Sequence, residues 1–166
     1  MRALYMAADD LSALLANEAP SSDWGSWAEE GKETTREWLR LLKEIQEQRN
    51  LSIILITHDL GIVARLTQRV AVMYAGRIVE MGTTEQIFDN PLHPYTIGLL
   101  KTMPKIDGVS GRLESIPGEP PDPAHFPPGC RFAPRCRWAT SVCLEAYPEP
   151  VETEPAHYAH CWYAGK

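Results

Sequence analysis

Ile53-Ile54-Leu55-Ile56-Thr57 is an unbroken, mostly β-branched apolar run that passes straight into His58-Asp59. A run of this kind suits a strand buried on both faces of a parallel sheet. Leu60, Val63, Ala64 and Thr67 follow at helical spacing, so the strand hands over almost at once to a helix. Beyond that helix, Val70–Tyr74 and Arg77–Met81 read as strands flanking Ala75-Gly76, a connection short enough to close a hairpin. Strand, helix and hairpin in this order make the chain α/β. They also place His58 beyond the carboxyl end of a parallel strand, where α/β proteins bind their ligands.

Upstream of that run, Thr34 and Glu37 have the spacing of a capping box, and Trp38, Leu41, Leu42 and Ile45 share one apolar face that ends at Asn50. Residues 1–17 read as an amphipathic helix, with Leu4, Ala8, Leu11 and Leu15 in phase, and residues 18–33 as loop. Downstream, Thr83 and Gln86 cap a short helix, and Pro94 opens another over Tyr95–Met103. Helices are therefore expected near 35–49, 59–66, 84–89 and 94–103. The segment 104–128, with Pro117, Pro120, Pro121, Pro123, Pro127 and Pro128, is expected to lack regular structure.

Bulk properties exclude several function classes. A chain of 166 residues suits one domain, or a small domain with a tail, and a net charge of -6 offers no basic stripe, so no nucleic acid is expected as a partner. The most apolar stretch, Leu51–Thr57, is far shorter than the roughly 20 residues of a membrane-crossing helix. Asp9 and Asp10 interrupt the only stretch resembling a secretory signal. The expectation is a cytosolic chain that meets membranes only through partners. All four cysteines lie from Cys130 onward, a clustering that in the cytosol points to metal or redox chemistry.

Leu51–Gly82 resembles the last third of an ABC-transporter ATPase domain. Three motifs then follow in order: Asn90-Pro91-Leu92-His93-Pro94-Tyr95-Thr96, Ile116-Pro117-Gly118-Glu119-Pro120-Pro121, and Gly129-Cys130-Arg131-Phe132-Ala133-Pro134-Arg135-Cys136. Together they resemble the carboxy-terminal extension of oligopeptide and dipeptide importer ATPases, and the resemblance covers about residues 34–163. It implies a C-terminal fragment of a P-loop ABC ATPase domain followed by a small, irregular Cys-rich module. Divided this way, 1–33 is an unmatched N-terminal segment and 34–90 the end of the nucleotide-binding domain. Residues 91–128 are the His-Pro-Tyr segment and Pro-rich linker, and 129–166 the four-cysteine module.

For function, the resemblance implies a peptide-transporting ATPase that uses ATP and Mg2+ in the complete domain. It implies permease subunits and a second ATPase subunit as partners, and a cytoplasmic location, peripheral on the inner face of the plasma membrane. In this family the histidine matching His58 contacts the γ-phosphate and helps place the attacking water, a role that suits an uncharged imidazole donor. The plainer alternative makes His58 a strand-end histidine that caps the next helix.

The given chain has no phosphate loop. Its nearest approach, Gly25–Thr34, has Ser26 at the first glycine position and Glu33 at the hydroxyl position, with Glu29 and Glu30 repelling phosphate. Neither a signature loop nor a strand ending in Asp-Glu precedes Thr34. ATP chemistry is accordingly expected of the complete domain and not of this chain alone. Two other readings stay open: a stand-alone metal-binding interaction module, and a truncated gene product.

The cysteines run Cys130-x5-Cys136-x6-Cys143-x17-Cys161. Four thiolates suit tetrahedral zinc or a 4Fe–4S cluster, and the long first spacers favour the cluster over a zinc knuckle. The resemblance implies the same cluster on the matching cysteines; zinc, free thiols and disulfides remain the alternatives. Arg131, Arg135 and Arg137 would offset thiolate charge or form ordinary solvated loop, and His157 and His160 are spare ligands. All four sulfurs are expected to meet at one point, with the chain reversing at Tyr147–Pro150 to return Cys161.

Overall fold

The computed structural model describes residues 4–6, 24–102 and 115–165, with side chains from Glu37 onward. Its first helix, α1 (Trp24–Arg49), is longer than the sequence pattern indicates. Residues 24–33, expected as loop, are helical, and Thr34 lies inside the helix and not at its cap. Gly25 and Gly31 each cost a helix only about 1 kcal/mol, and Ala28, Glu29, Glu30, Lys32 and Glu33 are favourable formers with no proline among them. The helix ends as expected: Asn50 adopts φ 48° and the Leu51 N–H returns to the Gln46 carbonyl at 3.1 Å.

The apolar face of α1 is divided. Leu39 and Leu42 turn toward Ile53, Leu55 and Leu66, whereas Trp38, Leu41 and Ile45 stay exposed. After the helix comes β2 (Ile54–Ile56), and here the expectation of burial on both faces fails. Ile54 is 63% exposed, and among the described residues β2 is the edge strand of the sheet. Leu4–Met6, expected within a helix, is strand β1, which lies parallel to β2 and to the later strand β3 (Arg69–Tyr74). The remaining parts of the proposed 1–17 helix and 18–33 loop, residues 1–3 and 7–23, lie outside the described residues.

From Thr57 to Lys101 the expected elements are all present. Asp59 caps α2 (Leu60–Leu66), accepting from the amides of Gly61 and Ile62 at 2.8 and 3.1 Å. β3 turns into β4 (Arg77–Thr83) through Ala75 and Gly76, whose φ values of 49° and 79° are those of a type I′ hairpin. Thr83 and Gln86 form a complete capping box at α3 (Thr84–Asp89). Pro94 opens α4 (Pro94–Lys101), with His93 as its N-cap.

The cysteine-bearing segment is not irregular. It contains a 3-10 turn (Ala133–Arg135), a short helix α5 (Ser141–Glu145) and a hairpin of β5 (Val151–Glu154) and β6 (His157–Ala159). Chain reversal occurs at Pro155-Ala156, where Ala156 has φ 62°, and not at Tyr147–Pro150. β6 adds antiparallel to β4, pairing Ala159 with Glu80, so the sheet order is β2-β1-β3-β4-β6-β5.

One core accordingly spans both regions. Val63, Val70, Val72, Val79 and Ile87 pack in the same cluster as Cys130, Phe132 and Cys143. Within the linker, the described residues 115–128 form only turns and bends. Arg135 pins the start of this stretch by donating to the carbonyls of Ile116 and Pro117, each at 2.9 Å. No described helix is long and apolar enough to cross a membrane.

Gly129 tests this packing. A Cβ there would overlap the Cys143 carbonyl oxygen and stand 2.7 Å from the Leu144 carbonyl carbon, both backbone atoms that cannot swing aside. Gly129→Ala should therefore destabilise the chain by about 1–3 kcal/mol or more, read as a lower urea midpoint.

Candidate functional site

β4 carries Glu80 into the interior, where it has no solvent exposure. Its carboxylate accepts from the main-chain N–H of Leu92 and of His93, both at 2.8 Å, and from His157 Nε2 at 2.9 Å. His157 is equally buried, and its Nδ1 has no partner among the described residues. Such a ring is best accommodated with its proton on Nε2 for Glu80, leaving only a lone pair unanswered on Nδ1. Glu80 thereby fastens the His-Pro-Tyr segment and strand β6 to the same point of the sheet.

His93 is 1% exposed, and its Nδ1 accepts from the Tyr95 N–H at 3.0 Å, capping α4. Burial, with His160 close by, lowers its pKa from 6.5 to about 3, so the imidazole stays neutral. Its ring lies 5.9 Å from that of Phe132, which also contacts Tyr74 and Tyr95. Tyr74 and Tyr95 pack against each other as well, with ring centroids 4.6 Å apart.

His93 borders a cavity of about 760 Å³, and all four cysteines line it. Local main-chain bonds present them. The Cys130 N–H donates to the Cys143 carbonyl at 2.8 Å, and the Cys143 N–H to the Thr140 carbonyl at 3.0 Å. Cys161 follows β6 after one residue, His160, whose N–H meets the Val79 carbonyl at 2.8 Å. Main-chain N–H groups also point at sulfur: Phe132 and Ala133 at Cys130, Trp138 and Ala139 at Cys136, Tyr163 and Ala164 at Cys161. Burial still pushes these three thiols up, and neighbouring cysteines push them further, so without a bound cation they hold their protons.

The structure brings all four cysteines singled out in the sequence to the wall of this one cavity. Among the described residues, no three His, Cys, Asp or Glu side chains form a group able to hold a metal ion. The donors border a shared volume, an arrangement that does not suit one tetrahedral zinc with bonds of about 2.3 Å. All four cysteines are free thiols, and the spare ligands His157 and His160 are engaged elsewhere, with Glu80 and the Pro148 carbonyl. Among the arginines, Arg137 lowers the pKa of the Cys136 thiol electrostatically, while it stacks on Trp138 at 4.0 Å. Arg131 lies over Phe126 at 3.7 Å and donates to the Ala75 carbonyl, and Arg135 fastens the linker.

His58 stands elsewhere. It is exposed after β2, and β1 and β3 separate that strand from β4 in the sheet. The cap it might have supplied comes from Asp59, whose own N–H donates to Thr57 Oγ1 at 3.0 Å. The phosphate-loop near-miss Gly25–Thr34 lies in α1, so it cannot form a loop cradling phosphate.

Residues 79–143 match the family model for the C-terminal region of oligopeptide/dipeptide transporters. This chain carries that family's C-terminal region. A dipeptide transport ATP-binding protein from Lactococcus lactis is 51% identical over 124 residues, 75% of this chain and 36% of the relative. An oligopeptide transport ATP-binding protein from Haemophilus influenzae is 46% identical over 128 residues, 77% and 39% of the two chains. A Bacillus subtilis dipeptide transport ATP-binding protein is 49% identical over 124 residues, 75% and 37%. The chain thus spans well under half the length of these relatives. The transporter-family match includes Glu80, His93 and three of the cavity's cysteines, and leaves Cys161 beyond its end.

Glu80 and the capping role of His93 are missing from the sequence reading. Both left a signal: Glu80 is a carboxylate inside an apolar strand, and His93 precedes a proline that opens a helix. In the unfolded chain His93 titrates near 6.5, whereas folded it holds no proton until about pH 3. The unfolded state therefore binds more protons between those values, and stability should rise with pH across that window. Urea midpoints from pH 4 to 7 should climb, and His93→Asn should flatten the climb by a few kcal/mol. Glu80→Ala should cost roughly 3–5 kcal/mol at neutral pH, because two amides and an imidazole lose their acceptor.

Proposed function

We propose that this chain is part of the ATP-binding subunit of an ABC importer for oligopeptides or dipeptides. What carries the reading is identity near one half, over three quarters of the chain, to proteins named for ATP binding in dipeptide and oligopeptide transport. On this reading the complete subunit binds ATP and Mg2+ and works on the cytoplasmic face of the membrane, with permease subunits and a second ATPase subunit. His58, exposed beyond the carboxyl end of β2, is the contact to the γ-phosphate.

The four-cysteine cavity is read as the seat of a 4Fe–4S cluster. Support comes from its donor set: four thiols around one volume, three of them receiving main-chain N–H groups, as anionic sulfur demands. Cys130, Cys136, Cys143 and Cys161 would hold the cluster, which supplies a one-electron centre and a covalent tie across the module. Because the thiols must release protons to bind metal, uptake should strengthen with pH.

Two measurements test these readings. The purified chain should show no micromolar affinity for ATP by calorimetry, since no phosphate loop cradles the nucleotide. In a subunit that joins this segment to a phosphate loop, His58→Ala should lower turnover roughly tenfold or more, about 1.4 kcal/mol of barrier, while sparing nucleotide binding. Unchanged turnover would remove His58 from the mechanism. Chain prepared anaerobically should contain about four irons and four sulfides, and less after any single Cys→Ser change. Zinc without acid-labile sulfide would replace the cluster.

A further inference from the structure

His93 caps a helix, yet a cap needs no imidazole; Ser, Thr, Asp or Asn would serve as well or better. We propose that His93 is a fixed N–H donor to the anionic sulfur centre of the four-cysteine cavity, tuning and orienting that centre. The proposal rests on the cavity being a metal–sulfur site and assigns to one side chain a task which that reading leaves open.

Three observations carry it. First, the ring is buried and borders the same cavity as all four cysteines. Second, its tautomer is set: Nδ1 is occupied as an acceptor for the Tyr95 N–H at 3.0 Å, so the ring's proton resides on Nε2. Third, its pose is held at both ends. Its backbone N–H is bound by Glu80 Oε2 at 2.8 Å, and its ring packs beside Phe132.

A donor of this kind differs from Arg or Lys because it brings polarity without net charge. Burial keeps the imidazole neutral, so the donor is present across physiological pH. It also complements the main-chain N–H groups, which serve Cys130, Cys136 and Cys161. At Cys143 the Thr140 hydroxyl lies 3.7 Å from the sulfur. Hydrogen bonds to cluster sulfur favour the more negative, reduced state and so raise the reduction potential.

His93→Asn separates the two roles. Asn keeps a side-chain acceptor for the Tyr95 amide and therefore the cap, but is too short to present a donor to the cavity. Both full-length chains are loaded anaerobically with ferrous iron and sulfide, assayed for both elements, and titrated by EPR. Equal iron content is expected, with a lower reduction potential in the variant. Pulsed EPR in H2O and D2O should show an exchangeable proton coupling that the variant lacks. Equal loading with unchanged potential and coupling overturns this inference and leaves the cluster reading intact. Failure of either chain to take up iron and sulfide overturns the cluster reading and this donor's acceptor with it. On the metal-free chain, 15N-histidine spectra should show His93 as the neutral Nε2–H tautomer between about pH 5 and 8. A ring that titrates in this range, or carries its proton on Nδ1, also overturns the inference.

Discussion

A carboxylate without solvent contact must have its charge answered by donors, and Glu80 finds them far away in sequence. The amides of Leu92 and His93 arrive after α3, and the His157 ring arrives from the far end of the chain. Because all three bonds end on one side chain of β4, the hairpin, the His-Pro-Tyr segment and the β5–β6 hairpin share an anchor. Losing any one donor leaves a buried charge less compensated, which makes the arrangement cooperative. The cysteine cavity depends on this anchor at two places. His93 forms part of its wall, and Cys161 follows β6 after a single intervening residue.

The cavity is built to favour sulfur as an acceptor while burial favours the protonated thiol. Two main-chain N–H groups at each of Cys130, Cys136 and Cys161 stabilise negative sulfur, yet desolvation is the larger influence and raises all three pKa values. A soft cation would reverse that balance, since metal ligation supplies the positive charge that burial withholds. On the proposed cluster reading, ligation would have to precede any redox chemistry, and thiols with pKa values raised in this way are weak nucleophiles.

The opposite flank has a different character. Trp38, Leu41, Ile45, Ile54 and Ile56 are exposed on α1 and on edge strand β2, in a chain spanning little more than a third of its relatives' length. An uncovered edge with isoleucines on its face is a surface that sheets normally pair or shield. His58 emerges at the end of this same strand, so the proposed phosphate contact and the cysteine cavity occupy opposite sides of the sheet order.

Much of the fold was legible because its signals are local. Asp59, Thr83, Gln86, Pro94 and the Ala75-Gly76 turn act within a few residues of themselves, and each did what its chemistry predicts. The grouping of the four cysteines around one cavity was also legible from the family pattern. Other features depended on distant partners. Helical residues 24–33 outvoted their glycines, β1 formed by pairing with β2 and β3, and Ile54–Ile56 took the edge of the described sheet. Glu80 is the clearest case. By itself the sequence determined a carboxylate in an apolar strand and a histidine before a helix-opening proline. Only the tertiary structure decided that they meet, because the donors that make a buried charge tolerable come together only when the chain has folded.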